Sequence, residues 1–496
     1  MGKKQGSRGQ GAEGEEECGE CGGVRLLPHP PTPPTPPTPP TPPTPPTPPT
    51  PPTPPTPPVL FPMPNPQSLI LSETKNLMED LAIFLSKSLT GWLVIQVCFT
   101  LVFIWYLRSS KKNLLPDDQL PKTAVILCLR GADPFLPRCL RSLLNQNYPQ
   151  YDLKLIVDSH EDPAWKIASE TITEQEATNV QISPLRIVRN NCSLKCSSLI
   201  QAIRELDDSY KVVALVDADT IVHLNWLREL VSPLGDAKVG ATTGNRWYVP
   251  TGRYWGSLVR YVGNVSTVVQ MFIFQIPWGG TLAVKTEVLR QTELLDKWGQ
   301  ALGEDFMMHD ILKKHGFQVK FVPSLLIVNR EETDLFNLID YLKRLILFSR
   351  LYHPRWLALV SEAVSSILFP TLLSVLVLES LLEAKWEAAA LLLVCYGVYT
   401  VGLLLIMLVL ELEIQRVVRS NDQAIAKLSA ATIIKMLIGI PLTQWVYGLA
   451  MLSSLWTSTV TWRGVSYRVK GPWNIRLVEY RPYQWLDQPI NSKVSL

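Results

Sequence analysis

Long uncharged runs and short apolar runs alternate along this chain in a way that separates it into unlike regions. Leu89 to Leu107 reads LTGWLVIQVCFTLVFIWYL, about 19 residues without a charge. At ~1.5 Å per residue, a helix of that length crosses a ~30 Å hydrocarbon layer, so 89–107 is expected to be a transmembrane helix. Trp105 and Tyr106 suit the membrane–water interface, and Arg108, Lys111 and Lys112 follow at once. The positive-inside rule then puts the end of the span in the cytoplasm. Its distance from the chain start and its bulky aromatic end argue against a cleaved signal. Region 357–460 carries three more apolar segments, Leu357–Leu378, Ala388–Leu410 and Ile438–Leu455. Just before them, 333–356 mixes apolar residues with Lys343, Arg344, Arg350 and Arg355, the pattern of an amphipathic helix lying in the interface.

Between these membrane regions, 121–332 shows a different rhythm. Apolar runs at Ala124–Leu129, Leu153–Val157, Leu185–Val188 and Val212–Val216 are separated by helical spacing at Phe135–Leu144 and Ser198–Leu206. Strand–helix alternation over such a length predicts an α/β domain with a mostly parallel sheet. In such sheets ligands sit beyond the carboxyl ends of the strands, so chemistry is expected in the residues that follow each run.

Composition adds limits to this picture. The 496 residues carry a formal charge of +3, which excludes the concentrated basic excess of a nucleic-acid protein. Eight cysteines in so long a chain do not form a secreted disulfide scaffold. Cys18 and Cys21 form a tight pair among Gly and Glu, without the further ligands a zinc site needs. Residues 1–66 read as a disordered leader in which Thr recurs at every third position from Thr32 to Thr56 with Pro between. Proline fixes φ and removes the backbone donor, so the repeat is expected to be polyproline II, a spacer or a ligand for a partner that binds Pro-rich motifs. Met1-Gly2 is followed by Gly6 where a myristoylation signal wants Ser or Thr. Residues 461–496 read as a basic tail.

The acidic residues fall where the alternation directs attention. Asp158 and Asp162 follow the second strand run, Asp217-Ala218-Asp219 follows Val212–Val216, and Glu304-Asp305 lies further on. Two carboxylates one residue apart at a strand end can turn toward a hard divalent cation, Mn2+ or Mg2+, which takes its remaining ligands from water and a diphosphate. Glycosyl transfer from a nucleotide sugar needs such parts. A cation neutralises the leaving diphosphate, and a positioned carboxylate takes the proton from the attacking hydroxyl. Asp217 and Asp219 are the candidate metal ligands, and Asp305, beside Glu304, is the candidate base; one base in an in-line displacement inverts the anomeric centre.

The order Asp162, Asp217-Ala218-Asp219, Glu304-Asp305 resembles glycosyltransferase family 2, in its ceramide glucosyltransferase branch. Arg130-Gly131-Ala132-Asp133-Pro134, Asn147-Tyr148-Pro149, His160-Glu161-Asp162-Pro163-Ala164, Lys195 within CSLKCSSLIQAI, and Trp462 to Arg468 (WRGVSYR) carry the likeness, which covers roughly Leu89 to Lys470. The resemblance implies a GT-A fold with a Rossmann-like sheet and a UDP-sugar donor. It implies that Asp158 and Asp162 serve the nucleotide region, that Arg130-Gly131 lines the uridine pocket, and that Lys195 approaches the diphosphate or steadies the acidic cluster. Gly279-Gly280 is similar to the family's acceptor-side turn, with Trp278 either stacking on a sugar or packing in the core. The family's closing motif, Gln or Arg, two residues, then Arg-Trp, is incomplete. Its nearest frames are Arg344-x-x-Leu347-Phe348 and Tyr352-x-x-Arg355-Trp356, so Arg344, Arg350, Arg355 and Trp356 are all candidates for the diphosphate.

His309, four residues after Asp305, would share its face if the segment is helical, and either orients the base or acceptor or packs. One span before a cytoplasmic enzyme and three after it place the C-terminus outside. Arg463, Arg468, Lys470, Arg476 and Arg481 favour the inside. A late segment that is re-entrant, broken at Pro441, or flat on the membrane would reconcile the two. The sequence thus points to a membrane-bound inverting transferase of hexose, glucose from UDP-glucose, onto a lipid such as ceramide. A polysaccharide or polyprenyl-phosphate glycosyl synthase and a non-catalytic membrane scaffold are the alternatives.

Overall fold

The computed structural model describes residues 66–483 apart from 251, 422, 424 and 426. The Pro/Thr leader, the Cys18/Cys21 pair and positions 484–496 of the tail lie outside the described residues. Helix α1 (Pro66–Ser109) contains the expected span but begins much earlier. The sequence from 67 to 90 holds no Pro or Gly to stop it.

The α/β region follows as β1 (Thr123–Leu129), α2 (Leu136–Leu144), β2 (Tyr151–Val157), α3 (Pro163–Glu174), β3 (Val180–Pro184), α4 (Leu194–Arg204), β4 (Val212–Val216), α5 (Trp226–Val231) and β5 (Val239–Tyr248). It continues with α6 (Trp255–Phe274), β6 (Thr281–Lys285), the short α7 (Thr286–Gln291), α8 (Leu294–Trp298) and α9 (Met308–Lys314), and β7 (Gln318–Asn329). The strands form one seven-stranded sheet in the order β3-β2-β1-β4-β6-β5-β7. All neighbours are parallel except β6, which runs antiparallel to both β4 and β5. This is the expected mostly parallel α/β sheet.

Two sequence expectations shift here. The third strand is Val180–Pro184 rather than Leu185–Val188. Pro184 lacks the donor that would extend the ladder, and the apolar run beyond it is loop, with Ile187 exposed. Helix α4 begins at Leu194, ahead of the spacing that revealed it, because the Ser193 hydroxyl accepts from Cys196 N and caps it.

Aliphatic side chains fill both faces of the sheet. A third cluster joins the sheet to the membrane helices through Phe103 and Leu107 of α1 and Trp247 and Tyr261 of the α/β region. Beyond β7 come α10 (Leu335–Tyr352), in the stretch whose pattern suggested an interface helix, then α11 (Trp356–Leu382), α12 (Trp386–Arg419) and α13 (Ala430–Leu455). Four helices among the described residues are long and apolar enough to cross a membrane: the Asp80–Ser109 part of α1, α11, α12 and α13. Pro441 does not break α13, whose helix runs through it.

The residues expected to be a basic tail instead form β8 (Thr459–Trp462), β9 (Val465–Gly471) and β10 (Asn474–Tyr480), a three-stranded antiparallel sheet. Alternation explains the miss. Val465, Tyr467 and Val469 bury one face in the core while Arg468 and Lys470 point to solvent, so the charges dominate the composition.

Candidate active site

The site lies along the carboxyl edge of the sheet. Strand β4 ends at Val216 and delivers Asp217-Ala218-Asp219. Because β6 is antiparallel, its entry turn, Trp278-Gly279-Gly280, arrives at the same edge, with Val216 opposite Thr281. Glu304 and Asp305 come from the segment before α9 and face that turn. Asp305 Oδ2 accepts from Gly279 N at 2.9 Å, and its Oδ1 accepts from Phe306 N at 2.9 Å. Lys195, in the first turn of α4, reaches across with its Nζ 2.6 Å from both Asp217 Oδ1 and Glu304 Oε1. One ammonium therefore ties the β4 carboxylate to the pre-α9 carboxylate.

The glycines have a packing reason. A Cβ at Gly279 would collide with Glu304 Oε1, and one at Gly280 would strike Trp278 and come within 2.7 Å of Asp217 Oδ2. Glycine is needed here so that the carboxylates can approach the backbone. Trp278 is buried in the core under this turn, which favours the packing reading.

Charge is unevenly tolerated across the cluster. Burial pushes the Asp305 carboxyl up to about 7, helped by Glu304 and opposed by Lys195. Asp219 is likewise pushed up to about 7 by burial and by Asp217, Glu331 and Asp133, with Arg246 opposing. Burial also acts against the Asp217 charge, yet its pairing with Lys195, with Arg246 and Arg463 near, holds its carboxyl below the ordinary range. Asp219 Oδ2 accepts from Asn329 Nδ2 at 3.0 Å, which anchors it to the end of β7.

A second cluster adjoins the first. The Arg130 guanidinium pairs with Asp158 and donates to the carbonyls of Arg463 and Arg481, from and just after the C-terminal sheet. Tyr480 OH donates to Asp158 Oδ1 at 3.1 Å. Arg463 returns the contact by donating to Arg130 O and to Asp133 Oδ2, the latter at 3.3 Å. Asp162 stands behind this turn: it caps α3 through Ala164 N and accepts from Gly131 N at 2.9 Å. It shapes the Arg130-Gly131 backbone, while Asp219 and Asp305 occupy the neighbouring cluster.

Some expected residues do not converge. Arg350 donates to the carbonyls of Ser454, Leu455 and Thr457, closing the end of α13. Arg355 is exposed ahead of α11, and Trp356 is the first residue of that helix. Helix α9 starts at Met308, so Asp305 precedes it and does not share a helical face with His309. The His309 imidazole is buried and held below its usual range by burial and by Arg355 and Lys313. Arg344 does join the site region. It lies 5.1 Å from the Trp462 ring, and burial, with Arg463 and Arg246 nearby, lowers it from the usual guanidinium range.

Arg246, Tyr341 and Glu331 are the residues that sequence reading missed. Arg246, near the end of β5, stacks on Tyr248 and Trp278 and bonds the Tyr341 hydroxyl. A lone arginine inside a long strand run was the available signal.

The donor set can be weighed for a cation. Among the described residues, no group of three or more His, Cys, Asp or Glu side chains forms a ready cage. Asp217 and Asp219 offer two hard oxygen donors, and Asp219 is under like-charge pressure that a cation would relieve. That fits an ion which keeps water and completes its shell with phosphate oxygens.

A family model described as glycosyl transferase family 21 matches residues 89–474. A ceramide glucosyltransferase of Pyricularia oryzae is 30% identical over 98 residues, 18% of this chain and 20% of that protein. One of Komagataella phaffii is 28% identical over 76 residues, 15% of each. The chain thus spans about a fifth or less of the length of the curated relatives it matches. Among solved structures, mannosyltransferase PcManGT from Pyrobaculum calidifontis, in complex with GDP-Man and Mn2+, is 14% identical with a TM-score of 0.42, covering 75% of this chain and 99% of that one.

Proposed function

The chain belongs to glycosyl transferase family 21, and from that premise we propose a membrane-bound inverting transfer of hexose, glucose from UDP-glucose, onto the hydroxyl of a lipid such as ceramide. The observation that carries this reading is the meeting of Asp217, Asp219, Lys195, Glu304 and Asp305 around Gly279-Gly280, beside helices of membrane-spanning length. The named relatives are ceramide glucosyltransferases, which supports the choice of sugar and acceptor.

Asp305 is the base. A carboxyl that titrates near 7 takes a proton more readily than one at its ordinary value, and still gives it up at working pH. The Gly279 N–H fixes one of its oxygens. Lys195 keeps Glu304 and Asp217 together without letting their charges repel the donor. Asp217 and Asp219 would hold Mn2+ or Mg2+, which supplies charge neutralisation for the leaving diphosphate. Arg246 and Arg463 add fixed positive charge at that edge.

An acceptor with a polar head and two chains reaches Asp305 from the bilayer without full transfer into water, which would cost ~0.8 kcal/mol per methylene. The test incubates purified protein with radiolabelled nucleotide sugars and a panel of lipids, with and without Mn2+ or Mg2+. Labelled glycolipid from UDP-glucose and ceramide is expected. Transfer from no sugar to any lipid would overturn the reading.

A further inference from the structure

We propose that Glu362, with Gln96 and Gln270, forms an entry subsite that recognises a neutral lipid through a hydroxyl or amide N–H on its polar backbone. Glu362 lies in the second turn of α11, one of the membrane-length helices, yet is only 5% exposed. Its Oε1 accepts from Gln96 Nε2 on α1 at 3.3 Å and from Gln270 Nε2 on α6. Its Oε2 is buried and has no hydrogen-bond partner among the described residues. A carboxyl group in a membrane helix is costly, and a half-satisfied one more so. The other polar members are already committed: Gln270 also bonds Ser266, and one turn along α11 Ser366 accepts from Trp92 Nε1 at 3.0 Å. Of the side chains in this seam, Glu362 supplies the one fully buried atom without a hydrogen-bond partner, its Oε2.

The chemistry of that oxygen selects the ligand. Ionised, it accepts from O–H or N–H; neutral, it can also donate to a hydroxyl. An anionic phosphate head is disfavoured beside it, whereas a lipid with a hydroxyl and a secondary amide answers either form. Position selects the purpose. Gln270 lies one helical turn before α6 ends at Phe274, and a short connection then reaches Gly279, whose N–H fixes Asp305. A lipid held at Glu362 is thus on the way from the bilayer to the base. The naming of its purpose rests on the glycosyl-transfer reading; the binding itself does not.

The experiment uses the full chain in phosphatidylcholine nanodiscs with a photoactivatable ceramide. Labelled peptides are mapped, and competition is measured with ceramide, N-methyl ceramide lacking the N–H, and a 3-keto ceramide lacking the secondary hydroxyl. Labelling is expected on α1, α6 and α11, with a ceramide affinity about tenfold weaker in Glu362→Gln, the size of one lost hydrogen bond. The variant should also lose the preference among competitors. Gln270→Leu gives a second perturbation, and melting midpoints establish that each variant is folded. Unchanged labelling in both folded variants, or labelling confined elsewhere, overturns the subsite. Labelling at the seam in a protein that transfers no sugar retains the subsite and rejects the enzymatic reading; transfer to ceramide without seam labelling does the reverse.

Discussion

Asp305→Asn separates catalysis from stability because the same burial serves one and taxes the other. In the folded protein the carboxyl titrates near 7, against an ordinary value of 3.8. Between those values the folded state holds a proton that the unfolded chain has lost, so stability falls as pH rises through the window. By pH 8 the cost reaches at most about 4 kcal/mol, and partial solvent access to the half-buried group trims it toward ~2 kcal/mol. Asparagine does not titrate. It offers one oxygen where Asp305 uses two, for Gly279 N and Phe306 N, so one hydrogen bond worth ~1 kcal/mol is lost at every pH. The variant should therefore melt slightly below wild type at pH 5 and above it at pH 8. Its transfer rate at pH 8 should drop by about 10² to 10⁴, the usual contribution of a general base. Wild-type activity, which needs the carboxylate, should be present above and lost as pH falls through about 7. Initial rates from pH 5.5 to 9 and melting curves in detergent read all three. A melting difference independent of pH, or a variant keeping more than a tenth of the rate, would refute the assignment.

Three other substitutions probe the site and its surroundings. Gly279→Ala drives a methyl into Glu304 Oε1, so a rate loss of at least about tenfold is expected in a protein that still folds, checked by transfer assay beside circular dichroism. Lys195→Met leaves Asp217 and Glu304 facing each other without a cation; about 3 to 5 kcal/mol of stability should go, seen as a lowered melting midpoint. Arg350→Ala frees the carbonyls at the end of α13, which should lower the melting midpoint by an amount equivalent to about 1 to 2 kcal/mol while the donor KM stays unchanged, since this arginine is remote from the carboxylates. A tag after residue 483 should be accessible from the same membrane side as the α/β domain in a protease-protection assay.

Period and strand-end logic made the α/β domain legible, because β1 and β4 are buried on both faces and read as continuous apolar runs, while β2 starts as an alternating strand and ends in the buried Leu155-Ile156-Val157. The same logic pointed to Asp217-Ala218-Asp219, since residues after a buried run have one edge to occupy; Glu304-Asp305 follows no strand and was legible only as a further acidic pair downstream. It could not find Arg246, which sits within β5 and reaches the site only through the strand order β6-β5. Nor could it decide among Arg344, Arg350 and Arg355. They lie within a dozen residues of one another, but the phase of α10 sends Arg344 to the site and Arg350 to the end of α13, while Arg355 falls in the exposed turn before α11. The C-terminal sheet was hidden for a related reason: its charges lie on the outer face of alternating strands.

The topological conflict posed by the sequence turns on α13. Shortly before this helix begins, Asn421 donates to Ser324 O of β7. At its other end, Arg350 of α10 binds the Ser454 and Leu455 carbonyls, and β8 then enters the core of the α/β domain. A helix held to the same domain at both ends lies along that domain, and α13 accordingly packs beside α6 and α10. Its apolar composition then reflects contact with α6, α10, α11 and α12. Were α1, α11 and α12 to cross and α13 to lie along the domain, two crossings would follow the α/β domain, an even number that returns the basic strands to its side. The positive charges after residue 460 and the hydropathy of α13 cease to contradict each other. The contacts of the C-terminal sheet require the same side: Arg463 donates to Arg130 O and to Asp133 Oδ2, which only strands beside the α/β domain can reach.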